Sequence, residues 1–171
     1  QASVYLAGGD STNRAALVKT FDAIAGGSGH ARPIEVLGRT LPVVSRAPGV
    51  IWFDFATLCG GPRSQNDYLW LASHNHTLFL TGVPKMGPDK SSEARRFTWL
   101  VDVLYDHRVK FIVGAACAAE ELYTQGVQAA EFQRTVSRLV EMRSLEYIAS
   151  QHRQEETPPA ESAANSGPDA S

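Results

Sequence analysis

Between Thr77 and Ala115 the chain passes through an apolar run, a helix-periodic amphipathic stretch and a second apolar run. That succession constrains the fold more than any other feature. Ser91 to His107 reads as a helix, because Phe97, Leu100, Val101 and Leu104 recur at its spacing with Tyr105 at the edge of the stripe. Thr77 to Thr81 and Val109 to Ala115 read as strands around it. Strand, helix and strand in that order imply a right-handed parallel crossover, hence an α/β fold. On the helical wheel Glu93 falls on the inward side, Arg95 lies nearly opposite beside Trp99, and Arg96 sits on the flank. Two adjacent arginines near the start of such a helix suit a nucleotide-handling unit in which one reaches a phosphate. The structural alternative is a Glu93–Arg96 ion pair at i,i+3 and a stack of Arg95 on Trp99. By the residues alone the structural alternative outweighs the phosphate contact.

The remaining segments fit the same class. Ser11 to Ala25 is an expected helix, capped by Asp10 or Ser11, with Ala15, Val18, Phe21 and Ile24 at helical spacing and Gly26-Gly-Ser-Gly29 ending it. Ile34-Glu-Val-Leu37 and Val50-Ile-Trp-Phe-Asp-Phe55, separated by Pro42 and Ala47-Pro-Gly49, suggest a hairpin or meander over 34–55. Ser64 to Ser73 is a second helix, Glu120 to Tyr123 a short turn, and Glu131 to Ser150 a long final helix. Its expected buried stripe is Phe132, Val136, Leu139, Val140 and Tyr147. From Gln151 onward no large apolar residue remains to bury, so 151–171 is an expected disordered tail. The reading is thus α/β, strand–helix–strand layers over 64–150, with an appended hairpin and a long C-terminal helix.

Composition narrows the class. With 171 residues, 43% of them hydrophobic, one ordinary globular domain is affordable. There is no apolar run of about 18 residues to span a membrane. Gln-Ala-Ser-Val-Tyr-Leu at the start lacks the basic and apolar regions of a secretory signal, and no Met precedes it, which suits a fragment or processed chain. Cys59 and Cys117, far apart and outside any C-x-x-C spacing, read as reduced thiols of a cytoplasmic protein. A net charge of −2 argues against general attraction to nucleic acid.

No complete phosphate loop accompanies the helix. Gly82-Val-Pro-Lys-Met-Gly87 follows a strand and Lys90-Ser91 opens the helix, but Pro88-Asp89 is inserted before the lysine. Pro84 and Pro88 remove backbone donors, and Asp89 places negative charge where phosphate would sit. The stretch therefore reads as an ordinary strand-to-helix connection. His74-Asn-His76 lacks acidic or cysteine partners at useful spacing, so no metal site is expected. On the last helix Arg134 and Arg138 are four apart, where like charges repel unless an anion serves them. Glu131 and Glu141, each three residues from one of them, are candidate partners; a phosphate or protein contact is the other reading.

Six blocks occur in order: Phe53-Asp-Phe-Ala-Thr-Leu-Cys59, Gln65-Asn-Asp-Tyr68, Ser92-Glu-Ala-Arg-Arg-Phe97, Leu100-Val-Asp-Val-Leu-Tyr105, Val109-Lys-Phe-Ile-Val113 and Phe132-Gln-Arg-Thr-Val-Ser-Arg-Leu-Val-Glu-Met142. Together, from about Tyr5 to Ile148, they resemble the C-terminal portion of the ZapE (AFG-one-like) P-loop ATPase family. The resemblance implies an AAA-type core upstream that carries the phosphate loop and uses ATP and Mg²⁺, with residues 1–150 as the region after it. It implies a role in cell division or protein quality control and a cytoplasmic location. It also implies a homo-oligomer or a division-machinery partner, with peripheral membrane association admitted. Arg95 and Arg96 carry over as candidate arginine fingers, and Arg134 and Arg138, with Glu93 in support, as nucleotide- or interface-facing residues. One departure stands out: the family's strand before Val83-Pro84 usually ends in an acid, and Thr81-Gly82 takes its place here. Alone, the chain is expected to bind no cofactor tightly. The rival expectation is a non-catalytic module that docks on a partner through Trp52 and Trp70.

Overall fold

The computed structural model describes residues 3–8 and 10–143. The expected helix beyond 143, Tyr147 and the tail from 151 lie outside the described residues. The chain runs β1 (Val4–Ala7), α1 (Asp10–Ala25), β2 (Ile34–Val36), β3 (Arg39–Leu41), β4 (Ser45–Ala47), β5 (Val50–Asp54), α2 (Phe55–Leu58), α3 (Gln65–His74), β6 (Thr77–Val83), α4 (Ser91–Asp106) and β7 (Lys110–Ala115). A further helix, α5, occupies 132–143.

Five strands form one sheet in the order β1-β7-β6-β5-β4. All neighbours are parallel except the β4/β5 edge pair. From β5 the chain moves through α3 to β6 and through α4 to β7, one strand at a time towards β1. From β1 it moves the opposite way through α1 to reach the β4–β5 edge. A single crossover hand requires helices serving opposite directions to lie on opposite faces. They do. Leu17 and Phe21 of α1 bury Val50, Trp52, Phe79 and Ile112 on one face. The other face, with Ile51, Phe53, Leu78, Leu80, Phe111 and Val113, is covered by α3, α4 and α5. Alternate residues of β5, β6 and β7 thus enter two different cores, as buried parallel strands demand. On the α1 face Phe21, Trp52 and Phe79 form a triangle with ring centroids 5.3–6.0 Å apart.

The β-rich run divides rather than forming one hairpin. Ile34–Val36 pairs with Arg39–Leu41 in a separate two-stranded sheet. Val50–Asp54 instead joins the centre of the main sheet, with Ser45–Ala47 beside it. The physical reason is that Val50-Ile-Trp-Phe is apolar on both faces and suits a strand buried on both sides, which a surface hairpin cannot provide. The small hairpin turns at Leu37-Gly38 with φ of 50° and 83°, and it is tied to α3 by the Arg39 guanidinium on the buried Asp67 carboxylate. Beyond β4, His30 exchanges backbone hydrogen bonds of 3.0 and 2.8 Å with Arg46, which covers that edge of the sheet. Gly29 allows this approach, since a Cβ there would lie 2.5 Å from Ser45 Oγ and 2.6 Å from the Arg46 carbonyl oxygen.

The helix stripes need two corrections. On α1 Phe21 is buried and Ile24 packs against the same cluster as expected, but Leu17 is buried in place of Ala15 and of Val18, which is 44% exposed. On α5 Phe132, Val136 and Leu139 are buried as expected, but Val140 is 38% exposed and Thr135 points inward. No helix among the described residues is long and apolar enough to cross a membrane.

Candidate functional site

The outer faces of α4 and α5 frame a groove of about 400 Å³. Its wall on α4 is the stripe Arg95, Thr98, Trp99 and Asp102, and its wall on α5 is Glu131, Arg134, Thr135 and Arg138. Both stripes follow from spacing: residues three and four apart stack on one helix face. Beneath the groove, Phe97 stacks on Phe132 at 6.2 Å and Tyr123 meets Phe132 edge-on at 5.6 Å, so an aromatic layer holds the helices together. Thr135 Oγ1 lies 3.2 Å from Thr98 Oγ1 at the floor. The loop before α5 closes one end. Tyr123 donates its hydroxyl to the Val127 carbonyl at 2.6 Å. Gly126 has φ of 133° and would place a Cβ 2.5 Å from that hydroxyl oxygen, so only glycine fits.

Three of the four singled-out arginines meet in this groove, and they are not equivalent. Arg95 lies 5.5 Å over the Trp99 ring, as the spacing suggested. Arg138 pairs with Asp102 across the helix interface and lies 5.2 Å over Tyr105. Arg134 is exposed, and no ion pair engages it among the described residues. The fourth, Arg96, turns away: its Nε donates to the Cys59 carbonyl at 2.7 Å and ties α4 to the end of α2. The expected Glu93–Arg96 pair does not form among the described residues, because that carbonyl already holds the guanidinium. Among the described residues neither expected acid pairs with the α5 arginines. Glu141 instead accepts the Tyr105 hydroxyl at 2.8 Å, and that hydrogen bond, ahead of desolvation, raises the tyrosine's pKa. Asp102 was the missed partner. It sits seven residues after Arg95, on the same stripe, and that spacing was the available signal.

A second polar cluster marks the carboxyl ends of β5 and β6. Thr81 Oγ1 accepts from Trp52 Nε1 at 3.0 Å and donates to Asp54 Oδ1 at 3.2 Å. The same carboxylate oxygen receives Arg14 Nη2 at 3.2 Å. The carboxylate beside Thr81 is therefore Asp54, its register partner on neighbouring β5. Trp52 is buried in the core, so it offers no docking surface. Trp70 is half-buried and stacks on His74 at 3.8 Å.

The near phosphate loop folds as a connection. Met86 is buried with its N–H on the Leu122 carbonyl at 2.7 Å, and Pro88–Lys90 forms a 3₁₀ turn that leads into α4. Cys59 is buried, and desolvation pushes its thiol up to about 12. Burial likewise raises Tyr68, whose hydroxyl donates to the Leu58 carbonyl at 2.8 Å. Among the described residues no three His, Cys, Asp or Glu side chains cluster to hold a metal ion. The groove itself is lined by three arginines, Arg95, Arg134 and Arg138, and two carboxylates, Asp102 and Glu131.

Comparison with known proteins identifies the family of the chain. The chain is 39% identical to "Cell division protein ZapE" of Escherichia coli strain K12 over 153 residues, 89% of this chain and 41% of the relative. The protein of the same description from Escherichia coli O157:H7 gives the same values. "Lactation elevated protein 1 homolog B" of Danio rerio is 30% identical over 152 residues, 70% of this chain and 30% of the relative. The chain therefore spans less than half the length of these curated relatives. No solved structure matches it. The family model described as AFG1-like ATPase matches residues 1–151, and the chain belongs to that family.

Proposed function

We propose that this chain is the C-terminal part of an ATPase that couples ATP hydrolysis to cell division or protein remodelling. In this reading its α4/α5 groove presents arginines to a nucleotide whose phosphate loop lies on an upstream core. The observation that carries it is the convergence of Arg95, Arg134 and Arg138 on one groove, with Arg134 unpaired among the described residues. Asp102 answers Arg138, which leaves Arg95 and Arg134 without an ion-pair partner among the described residues of the groove. A nucleotide's phosphates supply one, and an arginine near the γ-phosphate stabilises charge in the transition state. The division role is supported by the similarity to the Escherichia coli protein named as a cell division protein. The upstream core is one partner, a second copy or a division protein another, and the setting is the cytoplasm.

The test is the ATPase rate of the full-length protein carrying Arg95→Ala or Arg134→Ala. The reading expects a large loss for each, with the fold intact by circular dichroism. Rates equal to wild type for both would overturn it.

A further inference from the structure

We infer that Arg95 and Arg134 form the anion-holding pair of the α4/α5 groove, that the ligand class is a di- or triphosphate chain, and that Arg138 is a positioning residue held in place by Asp102. The inference rests on the nucleotide reading above and narrows it to two side chains. Three guanidinium groups line the groove, and they differ in what they have left to give. Arg138 has its charge opposed by Asp102 and its face covered by Tyr105. Arg95 lies over the Trp99 ring, and no ion pair engages it among the described residues. Arg134 has no ion pair among the described residues, although Glu131 lines the same groove.

Two arginines that line one groove without a carboxylate partner among the described residues match a ligand with several acceptor oxygens on adjacent phosphorus atoms. The side-chain amides of Gln65 and Gln128 line the groove and add neutral donors. Its size is that of a small-molecule site. Trp99, under Arg95, stiffens that side chain and lowers the entropy lost on binding.

The assignment is tested by calorimetric titration of the full chain with inorganic pyrophosphate at low ionic strength. Binding of one pyrophosphate per chain is expected. Arg95→Gln and Arg134→Gln should each weaken it roughly tenfold or more, as loss of a charge-assisted contact implies. Arg108→Gln, on an exposed turn remote from the groove, should not change it. Arg138→Gln alone should weaken binding, because it leaves the Asp102 carboxylate facing the anion. The double variant Asp102→Asn/Arg138→Gln should restore it, which a direct ligand contact by Arg138 would not allow. Urea midpoints of all variants control for folding, and exposed Arg134 keeps the test valid if Arg95→Gln unfolds. No binding of pyrophosphate, binding indifferent to Arg134→Gln, or binding of a glutamate-rich peptide that pyrophosphate does not displace would each overturn the pair. Pyrophosphate binding lost in both variants while the full-length ATPase rate stays unchanged would sink the nucleotide reading and leave the anion pair standing. The converse result, an ATPase defect with no pyrophosphate binding here, would sink the pair alone.

Discussion

Arg138 on α5 reaches across the helix interface to Asp102 on α4, while Arg134, one turn earlier on the same helix, has no ion pair among the described residues. Two arginines with the same helical neighbourhood thus have different duties. One fastens α5 to α4; the other is available.

The fastening is measurable. Both partners keep about a third of their side chains in water, 29% and 35%, so solvent screening limits the pair. A double-mutant cycle with Asp102→Asn and Arg138→Gln, read by urea denaturation, should give a coupling of about 0.5–1 kcal/mol. Coupling indistinguishable from zero would mean that the pair does not hold the helices.

Gly126→Ala should destabilise the chain by about 1–3 kcal/mol, since a side chain at its φ of 133° is strained and its Cβ meets the Tyr123 hydroxyl. Because that hydroxyl anchors the loop at the end of the groove, pyrophosphate affinity should fall in the same variant. An unchanged urea midpoint would contradict the loop geometry.

Thr81→Val should cost about 1–3 kcal/mol in thermal or urea unfolding, because it leaves the buried Trp52 N–H without its acceptor. Thr81→Ser keeps the hydroxyl and should lose much less. A Thr81→Val loss no larger than experimental error would contradict the hydrogen bond's role there.

Cys59 sets an alkaline limit. Burial disfavours the thiolate and pushes the folded thiol up to about 12 from its ordinary 9.0. Below pH 9 the thiol is neutral in both states and its contribution to stability is complete. Above that the unfolded chain ionises first and binds fewer protons than the folded one, so stability falls as pH rises from about 9 towards 12. Cys59→Ala should flatten that decline. At pH 8 iodoacetamide should modify partly exposed Cys117 and spare Cys59 until urea is added. Fast native labelling of Cys59 would contradict its burial.

Much of the fold could be read from residue spacing. The α4 stripe, the flanking strands and the Arg95–Trp99 stack follow directly from helical periodicity, which is a local property. The misassigned pieces depended on partners distant in sequence. Val50–Asp54 carried the two-faced apolar pattern of a central strand, but its pairing with β6 is decided only by the sheet. The four-residue β1 is a strand because β7 lies beside it. At the site, the convergence of α4 and α5 arginines depends on how the helices pack over Phe97 and Phe132. Counting along α4 puts Asp102 on the Arg95 stripe, but only the packing of α5 against it shows that Asp102, not Glu141, answers Arg138.

The measurement that bears most directly on the central claim is the steady-state kinetics of ATP hydrolysis by the full-length protein with Arg134→Gln, beside Arg108→Gln as control. An arginine that stabilises phosphoryl-transfer charge contributes roughly 10³–10⁵ to kcat. The account predicts a fall in kcat of at least about a hundredfold for Arg134→Gln and none for the control. Identical kcat and KM in both proteins would contradict it.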